Sequence, residues 1–212
     1  MHVLYLMERD TAAFETNRTS VDIVCAGDSL TGWNNFGPIW GWPCRTYPEF
    51  LQELCAPQGL HIANGGIAGE ISDNGPQQVR DYLTLFPTAR YFVLGMGTND
   101  LGIWPDTEAT SRRIIENLRR MVQAVMQHGR QAVLFNVPHV NETSFPPPIA
   151  RDLRAKRDFH NRRLNAFCDE LDIPLADICL LLQDNHFADQ LHPNETGARI
   201  MAEAVFQVLP RE

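Results

Sequence analysis

The sequence is short of several things that would have tied it to a partner or a compartment. Of its 212 residues, Lys and Arg number 18 against 26 Asp and Glu, a formal net charge of −8 with His neutral. Such a chain has no overall field to draw in phosphate backbones, which argues against nucleic acid and anionic membrane surfaces as partners. Its longest apolar runs, such as Tyr91 to Met96 and Ala132 to Phe135, fall far short of the roughly 18 to 20 residues that span a bilayer. Membrane insertion is therefore not expected. The stretch Met1 to Asp10 lacks a basic start, and its apolar part stops at Glu8 before any small-residue cleavage site. No export signal is read there, and a cytoplasmic location is expected.

Cysteine is scarce and unpaired in pattern. The five cysteines, Cys25, Cys44, Cys55, Cys168 and Cys179, are odd in number and form no C-x-x-C, which excludes a disulfide framework or a zinc knuckle as the organising feature. Reduced, mostly buried thiols are the expectation. Low-complexity sequence is confined to Pro146-Pro147-Pro148, a stiff lead-in to the helix that follows, and no internal repeat is present. Three N-x-[ST] sequons start at Asn17, Asn141 and Asn194, but the pattern is common and carries little without an export signal.

What the chain does have is an ordinary globular balance, 44% hydrophobic and 21% charged residues, in a length suited to one domain. Residues 1–20 show weak periodicity and are read as an N-terminal surface arm, with 21–212 as a single domain. Apolar runs of strand length recur at Asp22 to Ala26, His61 to Asn64, Tyr91 to Met96, Gln131 to Asn136 and Pro174 to Asp177. Between them apolar residues take helical spacing, as in Ile114, Leu118, Met121, Val122 and Val125. Alternating strands and helices predict an α/β fold: a three-layer α/β/α sandwich around a mostly parallel five-stranded sheet. Sheets of this kind often dimerise, so a homodimer is kept open, although no exposed apolar helix stands out.

Open α/β sheets bind ligands at the carboxyl ends of their strands. There the sequence places Gly27-Asp28-Ser29-Leu30, then Gly65-Gly66-Ile67-Ala68-Gly69, then Gly97-Thr98-Asn99-Asp100, then Val137-Pro138-His139. Ser29 stands in a turn just beyond its strand, where a hydroxyl becomes a nucleophile only if a base takes its proton. Of seven histidines, only His192 has a carboxylate three residues before it, Asp189, and on a helical turn that spacing puts both side chains on one side. A backbone N–H in the glycine turn and the amide of Asn99 are candidate donors to a developing oxyanion. Taken singly, each of these residues is a turn or capping residue. A metal site from His186, Asp189 and His192 is disfavoured, because two helical turns separate its outer members.

Together the blocks resemble those of the SGNH (GDSL-type) hydrolase superfamily, from about Asp22 to the C-terminus and in the family's order. Gly27-Asp28-Ser29-Leu30 is similar to the nucleophile block, and Asn64 to Glu70 to the second block, whose last glycine corresponds to Gly69. Gly97-Thr98-Asn99-Asp100 is similar to the G-x-N-D block, and Asp189-x-x-His192-Pro193 to the D-x-x-H-P block. Ala68 departs from the serine frequent at its place, which leaves a backbone donor at Gly69 usable. A G-x-S-x-G elbow is missing, which separates the chain from α/β-hydrolases. The resemblance implies a flavodoxin-like SGNH fold and a lipase- or acylhydrolase-like serine esterase working through an acyl-enzyme, without metal or organic cofactor. It implies a triad of Ser29, Asp189 and His192, and an oxyanion hole from Ser29, Gly69 and Asn99.

The substrate it implies is a small-molecule ester, with acetyl sugars, lysophospholipids, thioesters and platelet-activating-factor-like esters all within the family. Trp33, Phe36, Trp40 and Trp42 crowd one long loop, and Trp33, Trp40 and Trp42 are candidates for stacking on a sugar or lining a small acyl pocket. His139, in a second long loop, is a further substrate-binding candidate. With no extended apolar lid visible, short-acyl or carbohydrate acetyl esters are favoured. Two rivals stand beside the esterase: a catalytically silent binding module of the same fold, and a nucleotide or small-molecule binding protein. The second rests on Gly95-Met96-Gly97 alone, with Asp100 where a dinucleotide fingerprint needs its third glycine.

Overall fold

The computed structural model describes residues 4–5, 18–32 and 44–210. Its sheet contains β1 (Leu4–Tyr5), β2 (Ile23–Gly27), β3 (Ile62–Gly66), β4 (Tyr91–Gly95), β5 (Gln131–Phe135) and β6 (Leu175–Ala176). They lie in the order β1-β3-β2-β4-β5-β6, every pairing parallel. The five strands expected from the apolar runs are all present. A sixth comes from the segment read as a surface arm, where Leu4 and Tyr5 pair with Ala63 and Asn64. The outer edge of β3 would otherwise present unpaired main-chain groups, and a short strand laid on it satisfies some of them.

Seven helices lie among the described residues: α1 (Ser29–Gly32), α2 (Tyr47–Cys55), α3 (Gly75–Leu85), α4 (Thr98–Ile103), α5 (Thr107–Gln127), α6 (Pro147–Leu171) and α7 (Glu195–Val208). Alternation along the strands sorts the core into two layers. Val24, Ala26, Phe92 and Leu94 face α3, α5 and α6, meeting Val79, Leu118, Met121 and Phe167. Ile23, Cys25, Val93 and Phe135 face α2 and α7, meeting Tyr47, Leu51, Met201 and Val205. Each such side chain fully removed from water contributes about 1.5 to 3 kcal/mol, which is why strands covered on both faces read as unbroken apolar runs. Cutting Phe92 back to Ala would cost about 3 to 5 kcal/mol through the cavity left behind.

Helix starts follow their sequence signals. The Asp106 carboxylate accepts the Ala109 N–H at 2.9 Å to begin α5, and the Asn194 side chain accepts the Gly197 N–H at 3.1 Å to begin α7. Cys25, Cys55 and Cys168 are buried and all five cysteines are unpaired. No described helix is long and apolar enough to cross a membrane.

The strand order matters most for function. From β2 the chain crosses to β3 on one side and returns to β4 on the other, so a crevice opens at the carboxyl ends of these central strands. Side chains are small there because the turns sit on one another. A Cβ on Gly66 would lie 2.2 Å from the Gly32 main-chain nitrogen, so only glycine lets α1 rest on the end of β3.

Candidate active site

Ser29 opens α1, two residues past the last residue of β2, and is 4% exposed. Asp28 shapes the turn: its carboxylate accepts the Leu30 N–H at 2.9 Å, and its carbonyl accepts the Thr31 and Gly32 N–H groups, both at 3.1 Å. As the first residue of a helix, Ser29 has a main-chain N–H outside the helix's own ladder.

The other half of the site arrives from the far end of the chain. Phe187 and Pro193 form an antiparallel bridge, and the Ala188 N–H donates to the His192 carbonyl at 2.9 Å, closing residues 187–193 into a tight loop. Inside it, Asp189 Oδ1 accepts the main-chain N–H of Leu191 at 2.7 Å and of His192 at 2.6 Å. Its Oδ2 lies 2.8 Å from His192 Nδ1, and His192 Nε2 lies 3.0 Å from Ser29 Oγ. A carboxylate only accepts, so Nδ1 carries the hydrogen and Nε2 presents a lone pair toward the serine. Burial alone would raise Asp189; the N–H groups of His192 and Leu191 and the His192 ring outweigh it and hold the carboxyl below its ordinary value.

This corrects the local conformation expected from sequence. Asp189 and His192 meet in an irregular loop, with α7 starting only at Glu195. Pro193 accounts for the difference, since a residue before proline is pushed out of the helical region.

Two loops bring possible donors to the same crevice. Gly69 is exposed, in a left-handed conformation at φ +78°, with open space where a Cβ would point. Asn99 lies in the first turn of α4, and its side-chain amide donates to the Glu70 carbonyl at 2.8 Å. Sequence reasoning missed what holds these loops. Asp100, fully buried, accepts the Ser72 hydroxyl at 2.7 Å and the Ser72 N–H at 3.0 Å. Asn117 of α5 donates to Ser72 Oγ at 3.1 Å and to Asp73 at 2.9 Å. Burial raises the Asp100 pKa, and the Ser72 hydrogen bonds offset part of that. Gln78 reaches the carbonyls of both Gly27 and Gly65 at 3.2 Å, tying the ends of β2 and β3.

The remaining predicted residues fare differently. Trp33, Trp40 and Trp42, with Phe36, lie outside the described residues. His139 Nε2 donates to Asp184 at 2.8 Å, and its Nδ1 receives Arg157 at 3.0 Å. That cluster fastens the loop after β5 to the segment before Asp189. Beside it, a cavity of about 400 Å³ is walled by Asn99, Leu101, Val137, Phe145, Leu153 and Leu191, among others. Another, of about 340 Å³, lies at the opposite end of the sheet beside Ile23 and Tyr91.

A second serine–histidine contact, Ser111 to His160 at 3.1 Å, is sealed between α5 and α6, and both residues are fully buried. Burial, helped by the Arg163 charge, pushes the His160 pKa down to about 4. A third contact joins Ser20 to His61 at 3.3 Å; among the described residues, only the Ser29 pair of these three has a carboxylate bonded to the far nitrogen of the imidazole. No group of three or more potential metal ligands is found among the described residues.

A serine, histidine and aspartate thus stand in hydrogen-bond sequence at the carboxyl edge of a flavodoxin-like sheet, and the class the fold defines is an α/β sandwich. The sequence model of the GDSL-like lipase/acylhydrolase family matches residues 25–200, and the chain belongs to that family as a GDSL-type ester hydrolase. No curated protein matches the chain in sequence. Solved structures share its fold. A lipolytic protein of the G-D-S-L family from Veillonella parvula is 20% identical, with a TM-score of 0.69 over 91% of this chain and 100% of that one. A GDSL-like lipase from Bacteroides thetaiotaomicron is 20% identical, with a TM-score of 0.66 over 93% and 96%. An acetylxylan esterase from Geobacillus stearothermophilus, solved as a catalytic mutant, is 18% identical, with a TM-score of 0.67 over 92% and 96%.

Proposed function

We propose that the protein hydrolyses carboxylic esters through an acyl-enzyme on Ser29, with His192 as general base and acid and Asp189 as its orienting partner. The observation that carries this is the relay of 2.8 Å from Asp189 to His192 and 3.0 Å from His192 to Ser29. Ser29 Oγ attacks the ester carbonyl while its proton passes to His192 Nε2; the collapsing intermediate takes that proton back onto the departing alcohol oxygen. Water then attacks the acyl-enzyme with the same proton path, freeing the acid and restoring the serine. The oxyanion formed in both steps is received by the main-chain N–H of Ser29, the N–H of Gly69 and the amide of Asn99. The catalytic groups all come from within 21–212, in a domain whose sheet also takes in Leu4 and Tyr5, and the proposed steps call on no metal or organic cofactor. Short acyl and carbohydrate acetyl esters lie within this chemistry, because these groups act on the ester carbonyl and ask nothing of chain length.

The test is hydrolysis of p-nitrophenyl acetate and butyrate by wild type and Ser29→Ala, with circular dichroism to compare folding. Loss of several orders of magnitude in kcat is expected for the variant. Equal turnover by both proteins would refute the nucleophile. Reaction of Ser29 with a fluorophosphonate separates an active esterase from a silent module of the same fold.

A further inference from the structure

The cavity of about 400 Å³ beside Asn99 has the position and the chemistry of a substrate subsite. One wall is α4, which carries Asn99; another includes Leu191, the residue before His192. The cavity therefore includes the residue proposed as an oxyanion donor and the chain neighbour of the proposed base. Much of the rest of its wall is aliphatic or aromatic. Ile103 and Ile149 line it while remaining 60% and 49% exposed, on two separate helices, α4 and α6. A single exposed isoleucine is ordinary. Two of them on the wall of a mostly apolar cavity that also includes Asn99 mark a place where an apolar ligand displaces water.

Its charged member does not change this. The Arg157 guanidinium is held by Asp158 at 2.8 and 3.0 Å and by the His139 ring at 3.0 Å, so it is already engaged. A sugar ring would need several donors and acceptors around it, and this wall offers few. An aliphatic chain needs none.

We propose that this cavity holds the acyl chain of the substrate and that the preferred esters carry a medium-length aliphatic acyl group. The proposal rests on the ester-hydrolase reading above and goes beyond the short-acyl expectation. The acyl part is assigned because it stays on Ser29 while water attacks, whereas the alcohol leaves after the first half-reaction. A cavity that shares Asn99 with the proposed oxyanion site suits the part that stays. If a methylene is given the roughly 30 Å³ of a water molecule, an incompletely filled cavity of this size accommodates about six to ten carbons. Each methylene buried there raises kcat/KM by up to about fourfold.

The experiment is kcat/KM for p-nitrophenyl esters from acetate to decanoate with the full chain, wild type, Leu153→Trp and Ile149→Gln, and a parallel series of alkyl acetates. Wild type is expected to favour octanoate over acetate by about tenfold or more. Leu153→Trp fills the cavity and is expected to lower that ratio about tenfold; Ile149→Gln, at an exposed position that folding tolerates, lowers it about threefold. Acetate hydrolysed as well as octanoate by wild type, or a ratio that neither variant changes, overturns the proposal. A preference that follows the alcohol chain instead overturns the acyl assignment. Failure of the underlying serine reading looks different, with no turnover and no fluorophosphonate labelling of Ser29. In that event calorimetric binding of octanoate still reads the cavity: binding weakened in Leu153→Trp supports the site, and no binding, or equal binding, overturns it.

Discussion

The side-chain amide of Asn99 donates to the main-chain carbonyl of Glu70 at 2.8 Å, clipping the turn after β3 to the first turn of α4. An amide nitrogen has two hydrogens, so this clip fixes the direction of the second, which remains for a ligand. Asn99→Ala removes both at once. Its kcat is expected to fall about 10²- to 10³-fold, the size of a single oxyanion donor, with KM little changed. Stopped-flow or steady-state kinetics on p-nitrophenyl esters checks this. A loss confined to KM would make Asn99 a binding residue instead.

Behind that clip, Ser72 joins the same two loops from the buried side, bonding Asp100 through both its hydroxyl and its N–H and accepting from Asn117. Ser72→Ala keeps the main-chain bond and loses the other two. Hydrogen bonds to charged groups are worth about 1.5 to 3 kcal/mol, so a stability loss of that order is expected from urea unfolding. The positioning role predicts more: a several-fold fall in kcat without a matching rise in KM, partly restored in Ser72→Thr. Reduced stability with unchanged kcat would leave Ser72 as a purely structural tie.

Much of this site is legible in the sequence because it sits where apolar runs stop. Ile23 to Ala26 and Tyr91 to Leu94 announce strands, and their terminal glycines announce the turns that present Ser29 and Asn99. The supports behind them are harder to see. Asn117 lies three residues after Ile114 and four before Met121, a polar residue on an apolar helix face, and that was a readable sign of a buried bond. Nothing in one sequence says that its partner is Ser72, 45 residues earlier. Leu4 and Tyr5 failed for another reason, since two residues carry no period and their pairing is set by the open edge of β3.

Asp28, next to Ser29, is buried at 1% exposure, and burial pushes its pKa up from 3.8 to about 7; the Leu30 N–H lowers it in part, and the Asp100 charge adds to the rise. In the unfolded chain the carboxyl loses its proton near pH 4, whereas in the folded protein it keeps it until about 7. Between those values the folded state binds one proton more than the unfolded state. Stability contributed by this group is therefore full below about pH 4 and is lost as pH rises toward 7, by at most on the order of 4 kcal/mol. Asp28→Asn retains an oxygen for the Leu30 N–H and removes the titration. Urea midpoints measured from pH 5 to 8 are expected to fall more steeply for wild type than for Asp28→Asn, so that the variant gains relative stability as pH rises. Parallel curves would place the Asp28 titration at the same pH in both states, and a steeper fall in the variant would reverse the sign of the argument.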